Sequence, residues 1–131
     1  MARVIAPALA TTVAFAAMPA LAAPGPAAIV QAQVDAFNRG DAIGFAACYA
    51  ERVEFRELGG GSAAIEGRAA LVAHYEPMFR KDHPHATVLS RTVSGAFVVD
   101  KTRTRIGARA SEGLAIYEVR GNTIVRVWFT P

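Results

Sequence analysis

Four side chains in this 131-residue chain are of types that could hold or move a proton in a pocket: Glu57, His85, Asp100 and Tyr117. Residues 53–58 alternate, with Val53, Phe55 and Glu57 on one face and Glu54, Arg56 and Leu58 on the other. A carboxylate held against an apolar wall becomes a proton-transfer base at neutral pH. The other reading of Glu57 is a solvated acid at a strand end, paired with Arg56 or Arg52. Asp100 closes the β-rich run Phe97-Val98-Val99-Asp100. An acid there either faces a pocket or is bound to a base such as Arg91. His85 opens a long strand, where it reads as a pocket donor or acid near the mouth. Tyr117 shares a face with Ala115 and Val119, and Val127 and Phe129 fall on the matching face of the next strand. Together with Phe55 these make the best apolar wall in the chain. Glu57, Asp100 and His85 are therefore the candidate catalytic residues. Tyr117, Phe55, Val127 and Phe129 are the candidate substrate-binding residues.

Other chemistries find no support. The three histidines, His74, His83 and His85, lack the spacing of a zinc set. No cofactor fingerprint and no serine elbow occurs. Gly59-Gly60-Gly61-Ser62 fits neither a dinucleotide loop nor a Walker loop and reads as a turn. No cofactor is expected. Lys101, Arg103 and Arg105 alternate with Thr102 and Thr104, as on a solvated or interface face. The formal charge is only +3 and no aromatics interleave with the basic residues, so nucleic acid is not an expected partner. Cys48, the single cysteine, can form no intrachain disulfide and reads as a small core residue.

The elements that must position these residues follow from periodicity. Arg3 is the one charge before Asp35, a mostly apolar run spans 4–18, and Ala20-Leu21-Ala22 is a small-x-small cleavage signal. This is the pattern of a secretory signal peptide over 1–22, cut after Ala22. The run is short of the roughly 20 residues that span a bilayer. Export to the periplasm or medium is expected, with membrane contact only through the transient signal peptide. Residues 23–28 read as a flexible linker and 29–131 as one domain. Ile29, Val30, Gln33, Val34 and Phe37 form a helical stripe ended by Arg39-Gly40. Asp41 caps a short second helix. Residues 53–58 form a strand, 64–67 lead into a third helix over 68–81, and Pro77 kinks or breaks it. Strands follow at 85–93 and 96–106, then a turn or edge at 107–112. A hairpin over 114–130 turns at Gly121-Asn122. Its second arm is apolar on both faces and belongs at the centre of a sheet. Helices segregated before strands give an α+β domain: a curved antiparallel sheet around three N-terminal helices.

Four blocks carry a resemblance: Ala36-Phe37-Asn38-Arg39-Gly40-Asp41, Tyr49-Ala50-Glu51-Arg52-Val53-Glu54-Phe55, Glu66-Gly67-Arg68-Ala69-Ala70-Leu71, and Ala115 to Phe129. In that order and spacing the chain resembles the nuclear transport factor 2-like superfamily, in its SnoaL-like and ketosteroid-isomerase-like branch. The resemblance implies a cone-shaped domain with a pocket at its open end and a homodimer formed through the outer sheet face. In the isomerases of that branch an acidic base ends the first strand, a position that falls on Glu57. Their two hydrogen-bond donors fall on Gln33 and Ala115, so both are replaced. Another SnoaL-like subset carries a pattern like Arg91-x-x-x-Gly95…Val99-Asp100 followed by histidine and glutamate; here Lys101 and Thr102 stand instead. The fold hosts many functions. Two stay open: an exported domain running cofactor-free acid/base isomerase or lyase chemistry on a small hydrophobic molecule, or a non-catalytic ligand-binding or dimeric interaction module.

Overall fold

A computed structural model describes residues 2–3 and 12–131. The first half of the apolar run expected as a signal peptide lies outside the described residues. Residues 12–25 form no helix or strand, and no helix among the described residues is long and apolar enough to cross a membrane. The elements are α1 (Pro26–Arg39), α2 (Ala42–Ala47), β1 (Tyr49–Glu57), β2 (Ala63–Glu66), α3 (Arg68–Asp82), β3 (His85–Ser94), β4 (Phe97–Ile106), β5 (Arg109–Arg120) and β6 (Thr123–Phe129).

α1 starts three residues earlier than its apolar stripe, inside the stretch read as linker. Pro26 takes the first helical turn after Gly25, where a missing N–H costs nothing and φ is already set. Gly40 ends the helix at φ +67°, its N–H returning to the carbonyls of Ala36 and Phe37. Asp41 caps α2, its carboxylate accepting from the Gly44 N–H at 2.8 Å. α3 runs through Pro77 without ending. Pro77 is exposed while Leu71 and Phe79 are buried, so the lost backbone bond falls on the solvent side.

The strands make one curved, open sheet in the order β2-β1-β6-β5-β4-β3. β6 is interior, as its two apolar faces require. The expectation of a wholly antiparallel sheet needs correction, because β1 and β6 pair parallel, with Phe55 opposite Val127 and Glu57 opposite Phe129. No short turn joins these strands; everything between them in sequence forms the crossover. The stretch read as a lead-in to α3 is itself a strand, β2, pairing Glu66 with Glu54 and Ile65 with Phe55. Register shifts at Phe55/Arg56, Val88/Ser90 and Glu118/Val119 break the ladders and strengthen twist and bend. The helices lie against the sheet: α1 contacts β3 to β6, and α3 contacts β1 and β2. The core is continuous, from Val30 and Phe45 through Val53 and Leu71 to Val98, Tyr117 and Ile124.

Candidate functional site

A cavity of about 330 Å³ opens between the helices and the inner sheet face. Alternation along β5 decides where it lies. Ser111, Gly113, Ala115 and Tyr117 pair with Thr104, Thr102, Asp100 and Val98 of β4, and so share the inner face. The first three are small and leave room; the fourth is large and forms part of the floor. Phe37, Phe45, Tyr75 and Met78 close the helix side, and Phe55, Val127 and Phe129 continue the sheet side. Ile106, Ser111, Glu112 and Leu114 form an exposed rim.

The floor is polar but neutral. Gln33, Tyr49 and Tyr117 are 4%, 1% and 7% exposed. The Tyr49 hydroxyl donates to Gln33 Oε1 at 2.9 Å, and Gln33 Nε2 donates to the Tyr117 hydroxyl at 3.1 Å. Burial drives the Tyr49 and Tyr117 phenols above their ordinary range, with Asp100 adding to the rise at Tyr117. Burial likewise raises Tyr75 to about 12. All three stay protonated at neutral pH and act there as hydrogen-bond groups, not bases. Among the described residues that line the cavity, Glu112 is the one with a carboxylate side chain, and it sits at the rim. It is held below its ordinary pKa by the hydrogen bond from Arg103 and by the charges of Arg103 and Lys101.

The candidate residues separate into two groups. Tyr117, Phe55, Val127 and Phe129 all line the cavity. Glu57, Asp100 and His85 do not, and the structure does not bring them together. Glu57 shares the inner face by alternation but lies exposed at the end of β1, two residues past Phe55, and is not part of the lining although its partner Phe129 is. His85 is exposed and pairs with Arg105. Its neighbour Ala86 takes the inward position and lines the cavity, so alternation turns His85 outward. Asp100 is fully buried and faces inward, but beneath α1. Its carboxylate accepts from Arg91 Nε at 2.7 Å and from Arg91 Nη2 at 2.8 Å, while Arg91 Nη1 donates to Gln31 Oε1 at 2.9 Å. Asp100 is thus the partner of a helix-to-sheet clamp.

Sequence reasoning missed the role of Tyr49, which opens β1. Gln33 had a signal: it is the one polar side chain on the stripe Ile29, Val30, Val34, Phe37, and a polar group on a buried stripe needs partners. No group of three or more metal-ligating side chains occurs among the described residues.

The family model of the SnoaL-like domain matches residues 30–127. The chain belongs to the SnoaL-like domain family. Solved structures share the nuclear transport factor 2-like fold of this SnoaL-like domain at low identity. An uncharacterized cystatin-fold protein from Novosphingobium aromaticivorans superposes with a TM-score of 0.75 at 16% identity, covering 81% of this chain and 97% of that one. A candidate ketosteroid isomerase from Kribbella flavida gives 0.71 at 21%, covering 80% and 76%. An epoxide hydrolase of the LEH-like kind from M. tuberculosis gives 0.67 at 16%, covering 78% of each chain. No curated protein sequence matches this chain.

Proposed function

We propose that this SnoaL-like domain binds a small hydrophobic molecule in its cavity and does no chemistry on it. One observation carries the reading: below the rim the wall holds apolar side chains and neutral hydrogen-bond groups, with no carboxylate or imidazole. Apolar clefts with a few placed polar groups are the usual form of a small-molecule site. The acid/base reading would need Glu57 or His85 within reach of a bound molecule, and both lie outside the wall. The enzymes among its structural relatives support the fold and leave that point unchanged. Native mass spectrometry of the protein purified from cells expressing the full chain tests the reading. A bound apolar molecule, displaced by Ala115→Phe, is the expected result. Failure to bind any apolar probe would sink it.

Two further properties belong to the same proposal. The domain is exported, through cleavage after Ala22; intact mass of the secreted or periplasmic protein should begin at Ala23, and an uncut membrane-bound form would contradict it. It also pairs with a second copy through the outer sheet face. That face carries Phe97, 41% exposed, beside Trp128 at 6.5 Å, with the Arg126 guanidinium 5.5 Å from the Trp128 ring. Glu54, Arg126 and Glu118 form a mixed-charge strip alongside. Sedimentation should give a dimer that Trp128→Glu converts to monomer.

A further inference from the structure

Strand alternation predicts the wrong side for Thr130. Phe129 pairs with Ala115 on the inner sheet face, so the next residue should point outward. A Cβ at position 113 would nevertheless stand 2.8 Å from Thr130 Oγ1. Gly113 pairs with Thr102, and its Cβ position faces inward. The Thr130 hydroxyl therefore lies over the inner face of β5, in space that the glycine leaves free. β6 has ended at Phe129, and the chain turns in across its neighbour. Thr130 and Pro131 join the cavity wall there, beside the exposed rim residues Ile106 and Leu114.

A small, reversible latch holds this turn. Phe129 itself is fixed from both sides: it pairs with Ala115 of β5, and its carbonyl accepts from the Leu58 N–H at 2.8 Å. Past Phe129, both hydrogen bonds that Thr130 makes among the described residues go to Leu114. The Thr130 N–H donates to the Leu114 carbonyl at 3.0 Å, and the Leu114 N–H donates to the Thr130 hydroxyl at 3.0 Å. The second bond is exposed, so water replaces it at little cost. Residues 130–131 can thus swing on Phe129 without disturbing the sheet.

We infer that Thr130 is the length gate of the cavity, a specificity-determining residue. Latched over Gly113, residues 130–131 close one side of the rim and set the longest apolar molecule that fits. Unlatched, they admit a longer one. The hydroxyl does this work, because it alone reaches the Leu114 N–H, and Gly113 makes room for it. This inference rests on the binding reading above and names what selects among apolar ligands.

Linear alcohols from butanol to dodecanol, titrated calorimetrically into the full chain and two variants, test it. Each added CH₂ that is buried should raise affinity about fourfold. In the parent the rise should stop within the series, where the chain meets the latched segment. Thr130→Val keeps the bulk and loses the acceptor, so the rise should continue past that length. Thr130→Ser keeps the hydroxyl and should stop where the parent does. Amide exchange at Leu114 should quicken in the valine variant and hold the parent rate in the serine variant. A rise through dodecanol in the parent overturns the inference and leaves the binding reading standing. So does a valine variant that stops, or exchanges at Leu114, as the parent does, and so does a serine variant that behaves like the valine one. If no alcohol binds, the binding reading falls and takes this inference with it.

Discussion

Asp100 has no exposed surface, and its partner decides its role. Arg91 grips it with two hydrogen bonds and uses its remaining nitrogen on α1. Asp100→Asn leaves the part-buried Arg91 guanidinium without its counterion, a loss of about 3 kcal/mol, at the low end for a buried pair. We expect a lower denaturant midpoint with an unchanged slope; a variant as stable as the parent would return Asp100 to the list of pocket acids. Glu57→Gln, at an exposed strand end, should melt with the parent and bind the same ligands. The contrast between these residues shows how far a site can be read from sequence. Tyr117, Val127 and Phe129 were legible because a local turn at Gly121, φ +60°, ties two alternating strands together, so one face predicts the next. Phe55 was legible because it shares a strand face with Val53, another core residue. His85 was not, because one step of alternation reverses its direction and nothing near it in sequence marks the step. Asp100 reads from sequence either as a pocket acid or as the partner of a base such as Arg91, and the register of β3 on β4 decides for Arg91.

At the scale of elements, side-chain clamps near both ends of α1 tie it to the sheet. The Arg91–Asp100 clamp secures the first turns of the helix. Asn38 secures its end: the side chain donates to the Ala86 carbonyl at 2.9 Å and accepts from the Ala86 N–H at 2.7 Å. That bidentate pairing extends the hydrogen bonding of edge strand β3 to the helix. Asn38→Ala removes two part-buried hydrogen bonds and should cost about 2 kcal/mol. It should also speed amide exchange at Ala86, which an effect confined to the unfolded state would leave alone. Exchange protection equal to the parent's would refute the clamp. Helices, their caps and the terminal hairpin could be read in advance, since stripes, Gly40, Asp41 and Gly121 are local signals. The parallel β1–β6 seam could not, because strand neighbours far apart in sequence leave no periodic trace, and β2 could not because its four residues are too few to show a period.

For the whole molecule, tyrosine protonation and folding are one equilibrium. The chain has three tyrosines, and Tyr49, Tyr75 and Tyr117 all line the same cavity. In the unfolded chain each phenol ionises near its ordinary value of about 10. In the fold, burial raises Tyr75 to about 12, and burial first with neighbouring groups second raises Tyr49 and Tyr117 as well. Below pH 10 both states keep their protons, and the full stability is present. Above it the unfolded state releases protons that the fold retains, so stability falls as pH rises. Each such phenol withdraws about 1.4 kcal/mol per pH unit. Three together remove about 4 kcal/mol per unit, against a total stability of about 5–15 kcal/mol for a small domain. The domain should therefore unfold cooperatively between pH 10 and 12. Phenolate absorbance should rise in step with the loss of near-ultraviolet circular dichroism, as one transition. If phenolate forms near pH 10 while the dichroism persists, the tyrosines are open to solvent, and the buried floor of the cavity is wrong.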